Sequence, residues 1–369
     1  MRLPPTLAWL VDEASTVRGA DNFLATLGAK LIADGLPLTG GALTLSAAHP
    51  IIARRTWLWR AETGAVIEAL GFGSTASAGS GSGTELGKVG RDWLATLGIG
   101  LVQEDVVGSS ADRPTADHPV LAWAISRALI ELETASLHQA ARFAAAPLAG
   151  LNARATLAAL LEAYLGRRGA AQVLAGRSRR ETGETIRAVL LVADLRGFTE
   201  LSESIAAEAV VTVLDAWFDR VAGAVHAFGG EVLKFIGDGV LAIFPIGERS
   251  ASAACDAALN AVRAAQAGMA HLNEARGREG QPPLHFGLAL HVGEMLWGNV
   301  GTADRLDFTA IGPAVNLVSR LEGLCRPLGR SVLVTGAVAA ETTTPLVPLG
   351  EHLLRGIAAP CAIFTLPET

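Results

Sequence analysis

The C-terminal half of the chain predicts an α+β fold, and three observations carry the prediction. Ala188 to Ala193 is a continuous apolar run that reads as a buried strand. Glu200–Phe228 and Ala251–Glu274 carry helical periodicity, with Val210, Leu214, Trp217, Val221 and Val225 on one stripe of the first. Glu231 to Phe244 is two short apolar runs around Gly237-Asp238-Gly239, a hairpin signal. With Leu284–His291 as a further strand, the order is βαββαβ, the ferredoxin-like arrangement. Gly293–Val300 reads as a hairpin partner of that strand, and Ala314–Cys325 as a third helix.

The length of 369 residues accommodates two domains. The N-terminal part reads as a smaller mixed α/β domain over residues 1–150. Residues 6–16 and 20–34 are helical, and Ala42–Leu45 and Ile51–Trp59 tend to strand. Gly71–Gly87 reads as a loop, Asp112–Asp117 as a break, and Pro119 to about Ala146 as helix. Five of the seven tryptophans lie here, which predicts a separate core. A helical linker is expected over 151–184, including Ala153–Leu174 and the polar boundary Gly176–Gly183, and the second domain over 185–369.

A net charge of -6 and a pI of about 5.8 argue against general nucleic-acid or anionic-membrane binding. Cys255, Cys325 and Cys361 are too few and too scattered for a disulfide framework or a zinc site, so a reducing, cytoplasmic setting is expected. Pro4, Pro5, Asp12 and Glu13 interrupt the opening apolar run, and no signal peptide or membrane span is expected. Of the 30 basic residues only Lys30, Lys88 and Lys234 are lysines, so each lysine invites a specific question.

Two aspartates stand where chemistry is done. Asp194 directly follows the first strand, and Asp238 sits at the hairpin tip. If the hairpin lies beside that strand, at the usual spacing of about 4.8 Å, both carboxylates can face one point. Such a pair repels unless a hard divalent cation bridges it, and magnesium held by one or two carboxylates plus substrate phosphates is the common phosphoryl-transfer arrangement. Gly197 and Phe198, where the strand turns into helix, offer backbone amides to phosphate oxygens. Taken singly, Asp194 reads equally as a helix cap and Asp238 as a turn residue. Asn316 and Arg320, four apart, share one helix face, and an amide with a guanidinium there suits a ribose and a pentavalent phosphate. Alone, the two read as a solvated face.

Together, Asp194-Leu195-Arg196-Gly197-Phe198-Thr199, Lys234-Phe235-Ile236-Gly237-Asp238 and Gly312-Pro313-Ala314-Val315-Asn316-Leu317-Val318-Ser319-Arg320 resemble the class III adenylyl and guanylyl cyclase family over roughly residues 185–365. The resemblance implies an antiparallel homodimer with interfacial sites. One copy would supply Asp194, Asp238 and the Leu195 carbonyl to two Mg²⁺ or Mn²⁺ ions. The other would supply Lys234 and Thr309 to the base, and Asn316 and Arg320 to the ribose and transition state. Arg355 stands where the family carries a triphosphate-binding lysine. Pro313 replaces an acidic or amide residue, and Gly287 a phosphate-contacting arginine of some members.

Lys234 can only donate hydrogen bonds, which suits the ring-nitrogen acceptor of adenine. Guanylyl members of the family carry an acidic residue at that place. Thr309 resembles the threonine subgroup, class IIIb, and its hydroxyl serves adenine while rejecting guanine less firmly than a carboxylate. The expected substrate is therefore ATP and the product cyclic AMP. Two other readings stay open: a guanylyl or dual-specificity cyclase, and an inactive cyclase fold used for dimerisation or sensing. The stretch His49 to Trp59 resembles N-terminal regions preceding bacterial cyclase domains, which implies a GAF-like sensor without naming its ligand. His49 could ligate a haem or a metal, but a lone histidine beside Pro50 reads first as structural.

Overall fold

The computed structural model describes residues 3–46, 52–72, 88–108, 118–177, 183–302 and 304–367. His49, Asp112–Asp117 and most of Gly71–Gly87 and of Gly176–Gly183 lie outside the described residues. The chain forms two compact units, residues 1–161 and 162–369.

The first unit contains α1 (Pro5–Asp12), α2 (Ala20–Ala33), β1 (Leu38–Ser46), β2 (Ile52–Arg60), β3 (Val66–Phe72), α3 (Lys88–Ala95), β4 (Leu101–Val106), β5 (Val120–Ile125) and α4 (Glu131–Phe143). The strands make one antiparallel sheet in the order β3-β2-β1-β5-β4. Phe23, Leu24 and Leu27 of α2 and Leu137 of α4 bury one face with Leu43 and Trp123. Leu94 of α3 covers the other face against Ala42, Leu58, Ala122 and Ala124. The helix expected from Pro119 begins instead as β5. Every residue of its run Val120–Ile125 is buried because both faces of the sheet are covered, and a short continuous apolar run cannot separate such a strand from a buried helix.

Helix α5 (Ala145–Leu174) carries the chain across the division between units, and Gly166 breaks it with a left-handed φ of 72° and an extended ψ of 166°. The second unit then runs β6 (Gly183–Arg196), α6 (Phe198–Ser204), α7 (Ala207–Ala227), β7 (Glu231–Ile236), β8 (Gly239–Pro245), α8 (Ala251–Arg278) and β9 (His285–Gly301). It ends with β10 (Leu306–Ile311), α9 (Pro313–Gly323), β11 (Val332–Thr335), α10 (Gly336–Ala339), β12 (Val347–His352) and β13 (Cys361–Thr365). Strands β9-β6-β8-β7 are adjacent in that order and antiparallel, the ferredoxin-like βαββαβ core. The sheet continues through β11, β13 and β12, while β10 pairs with the far end of β9.

β6 is buried on both faces, and its alternation sorts its side chains. Val189, Leu191, Ala193 and Leu195 face α7 and α8, where Val213, Trp217, Val221 and Val262 also lie. Ala188 and Leu190 face α9, against Val318 and Leu321. Two expectations change. The helix over Glu200–Phe228 is divided at Ile205 and Ala206, where the hydroxyls of Ser202 and Ser204 donate to the carbonyls of Thr199 and Leu201 and compete with the helical ladder. The hairpin expected at Gly293 is one strand of 17 residues. Gly293 stays extended opposite Ala188, and glycine is needed there because a Cβ would stand 2.5 Å from the Ala314 Cβ of α9. β9 turns instead into β10.

Candidate active site

Asp194 is the last residue but two of β6, on the face turned toward α9, with Gly287 of β9 directly opposite. Asp238 sits in the two-residue turn between β7 and β8, where Gly237 adopts a left-handed φ of 63°. Trp217, fully buried on α7, donates from Nε1 to the Asp238 carbonyl at 2.9 Å and fixes the hairpin tip against the helix. β8 lies beside β6, which brings the Asp194 and Asp238 carboxyl groups close enough to act on each other.

That proximity requires a shared proton or a cation. Burial, the hydrogen bond to Asp238 and the charges of Asp238 and Glu322 push the Asp194 carboxyl up to about 7, opposed by the Leu195 backbone amide. Among the described residues no group of three or more His, Cys, Asp or Glu is arranged to hold a metal ion. Two carboxylates beside the Leu195 carbonyl nevertheless suit a hard cation that completes its shell with water and phosphate oxygens.

The raised value fixes the sign of a pH effect. A carboxyl that holds its proton more tightly when folded favours the folded state at low pH, and that contribution is lost as pH rises from its ordinary value of about 4 through about 7. Asp194→Asn, permanently neutral, should therefore raise the melting temperature of the chelator-treated protein at pH 8 and change it little at pH 5. Equal melting temperatures at pH 8 would show that ionising Asp194 costs the fold nothing.

Arg196 and Glu322 escaped sequence reasoning. Arg196 Nη2 donates to Glu322 Oε1 at 3.4 Å, and both side chains are largely buried, 21% and 14% exposed. Glu322 lies two residues beyond Arg320 and so faces away from it on the helix. A charged residue directly after buried Leu321 was the available signal.

α9 thus presents two faces. Glu322 turns to the aspartates of its own chain, while Asn316 and Arg320 are exposed, and Arg320 makes no ion pair among the described residues. Pro313 occupies the first turn of α9, where its missing N–H costs no bond, after Gly312 at φ 146°. Gly197, left-handed at φ 69°, turns β6 into α6, and half-buried Phe198 packs on the core beneath. Arg355 is exposed between β12 and β13.

Lys234 and Thr309 lie elsewhere on the unit. Lys234 on β7 donates to the Asp307 carboxylate, two residues before Thr309 on β10. Half-buried Thr309 pairs with Gly298 of β9, and Phe308 stacks on Trp297 at 5.8 Å. A cleft of about 680 Å³ holds Lys234, Asp307, Phe308 and Trp297 but neither Asp194 nor Asp238. Asp307 is a further partner the sequence did not reveal.

The second unit thus carries two paired aspartates, one at the end of the central strand β6 and one in the β7–β8 turn, together with the helix that bears Asn316 and Arg320. Residues 182–356 match the adenylate and guanylate cyclase catalytic domain family. The chain is 33% identical over 165 residues to an adenylate cyclase of Anabaena cylindrica, covering 44% of this chain and 32% of that protein. It is 36% identical over 168 residues to adenylate cyclase 1 of Rhizobium meliloti (strain 1021), covering 44% of this chain and 25% of that one. The chain therefore spans a third or less of the length of these relatives. A solved bacterial light-regulated adenylyl cyclase shares the fold, with a TM-score of 0.51 and 20% identity over 72% of this chain and 85% of that chain.

Proposed function

We propose that residues 185–369 form an adenylate cyclase that converts ATP to 3′,5′-cyclic AMP and pyrophosphate at sites shared between two copies of the chain. The observation that carries this reading is the opposed pair of surfaces on one unit. Asp194 and Asp238 meet at one place with Glu322 of α9 acting on them, while Asn316 and Arg320 of the same helix are exposed. A second copy supplies what each half lacks. Exposed Phe235, Ile236, Leu296, Val300, Leu306 and Ile311, all on β7, β9 and β10, support an apolar dimer face near Lys234 and Thr309.

Asp194, Asp238 and the Leu195 carbonyl would hold two Mg²⁺ or Mn²⁺ ions, which when bound supply Lewis acidity toward the ribose 3′-hydroxyl and the phosphates. Lys234 donates to the adenine ring nitrogen, with Asp307 keeping its ammonium turned toward β10. The Thr309 hydroxyl takes the second base contact. Asn316 orients the ribose, and Arg320 stabilises charge developing on the α-phosphate. Backbone amides at Gly197 and Phe198 and the Arg355 guanidinium meet the triphosphate. In this reading residues 1–150 form a sensor domain and 151–184 a linker.

Base selection is the test. Lys234→Glu should lower kcat/KM for ATP about ten- to a hundred-fold, the loss expected when a charged buried hydrogen bond of roughly 1.5–3 kcal/mol is removed. It should yield only modest GTP turnover, because Thr309 brings no charge to guanine. Lys234→Gln, measured beside it, removes the donor charge without setting a carboxylate against Asp307. An unchanged ATP preference in both variants would mean that Lys234 does not read the base.

A further inference from the structure

We propose that Arg196 is a positioning residue that holds the Glu322 carboxylate out of the metal site, leaving Asp194 and Asp238 to face the cation as a two-carboxylate pair. The proposal rests on the metal-binding reading of those two aspartates.

Three features of the fold converge on it. First, Arg196 follows Asp194 by two residues on β6, so both side chains leave the same face of the sheet. Second, the residue opposite Asp194 is Gly287. A Cβ there would stand 2.2 Å from Glu322 Oε1 and 2.3 Å from Arg196 Nη2. The ion pair therefore lies directly over the bare backbone of β9, in space that any other residue would fill. Third, Cys325, fully buried just beyond the end of α9, donates from its thiol to the Leu288 carbonyl of β9 at 3.5 Å and ties that end of the helix to the strand beside Gly287. The guanidinium thus meets Glu322 where the end of α9 is fixed against β9.

Glu322 is a neighbour of the metal pair without being part of it. Its charge acts on Asp194, and that of Asp238 acts on it. Even so, no three-acid arrangement able to hold a metal exists among the described residues. Affinity for hard cations rises with the number of carboxylates in a site. A third uncompensated carboxylate would tighten cation binding and, by adding negative charge, blunt the Lewis acidity needed for turnover. Arg196 offsets that charge.

The sign of the effect separates this role from simple structural support. Mn²⁺ alone, titrated into the full chain without nucleotide, is the probe, with cyclic AMP turnover measured separately. Arg196→Met should bind Mn²⁺ about tenfold more tightly than wild type, since a unit charge is uncovered close to the site, and should turn over more slowly. Arg196→Met combined with Glu322→Gln should return Mn²⁺ affinity toward wild type, and Arg196→Lys should stay near it. Gly287→Ala, which drives the two side chains apart without changing charge, should shift affinity in the same direction as Arg196→Met and serves if that variant folds poorly. Unchanged or weaker Mn²⁺ binding in Arg196→Met and Gly287→Ala overturns the proposal, provided Asp194→Asn abolishes binding. If Asp194→Asn leaves Mn²⁺ binding intact, the metal reading of the aspartates fails, and this inference falls with it.

Discussion

Replacing Asp194 or Asp238 by alanine is expected to lower cyclase turnover at least about a thousandfold, while the chain still folds and dimerises. In the proposed reading the size follows from losing a metal-holding carboxylate, whose cation would contribute several kcal/mol to a phosphoryl-transfer transition state at about 1.4 kcal/mol per decade. Folding should survive for a local reason. The Asp238 anchor to Trp217 is made by its backbone carbonyl, which alanine retains. Removing either acid also relieves the burial of two neighbouring carboxyl groups and the charge of one on the other. Turnover within tenfold of wild type at saturating Mn²⁺ would show that the pair does not hold the catalytic ions.

The second large effect is recovery from mixing two dead chains. Asp194→Ala and Arg320→Ala should each be nearly inactive alone. In a mixed symmetric dimer both lesions fall in one site and the other site is intact, so random exchange should restore about a quarter of wild-type activity. The expectation comes from α9, whose Glu322 acts on its own aspartates while Arg320, two residues earlier on the helix, is exposed. Demonstrated heterodimers without recovery would place the whole site within one chain.

Much of the second unit's fold was legible in the sequence because its signals are local. The apolar run before Asp194, the Gly-Asp-Gly hairpin and the four-residue spacing of Asn316 and Arg320 each report on a single element. What remained hidden depended on contacts between elements. Gly293 looked like a turn because the sequence does not show that α9 passes 2.5 Å from its would-be Cβ. Val120–Ile125 looked helical because burial on both faces erases strand alternation. Gly287 and Glu322 lie 91 and 126 residues from Arg196 along the chain, and only the β6–β9 register and the packing of α9 on that face bring them together. Asp307 was passed over because its partner Lys234 lies 73 residues away.

The central claim is tested most directly by assaying the purified full chain for cyclic nucleotides, with ATP and GTP in parallel, in Mg²⁺ and in Mn²⁺. The account predicts cyclic AMP and pyrophosphate in equal amounts from ATP, little cyclic GMP, and no product from Asp194→Ala. Absence of product from either nucleotide, in a chain shown to dimerise and to bind Mn²⁺ through Asp194, would contradict it.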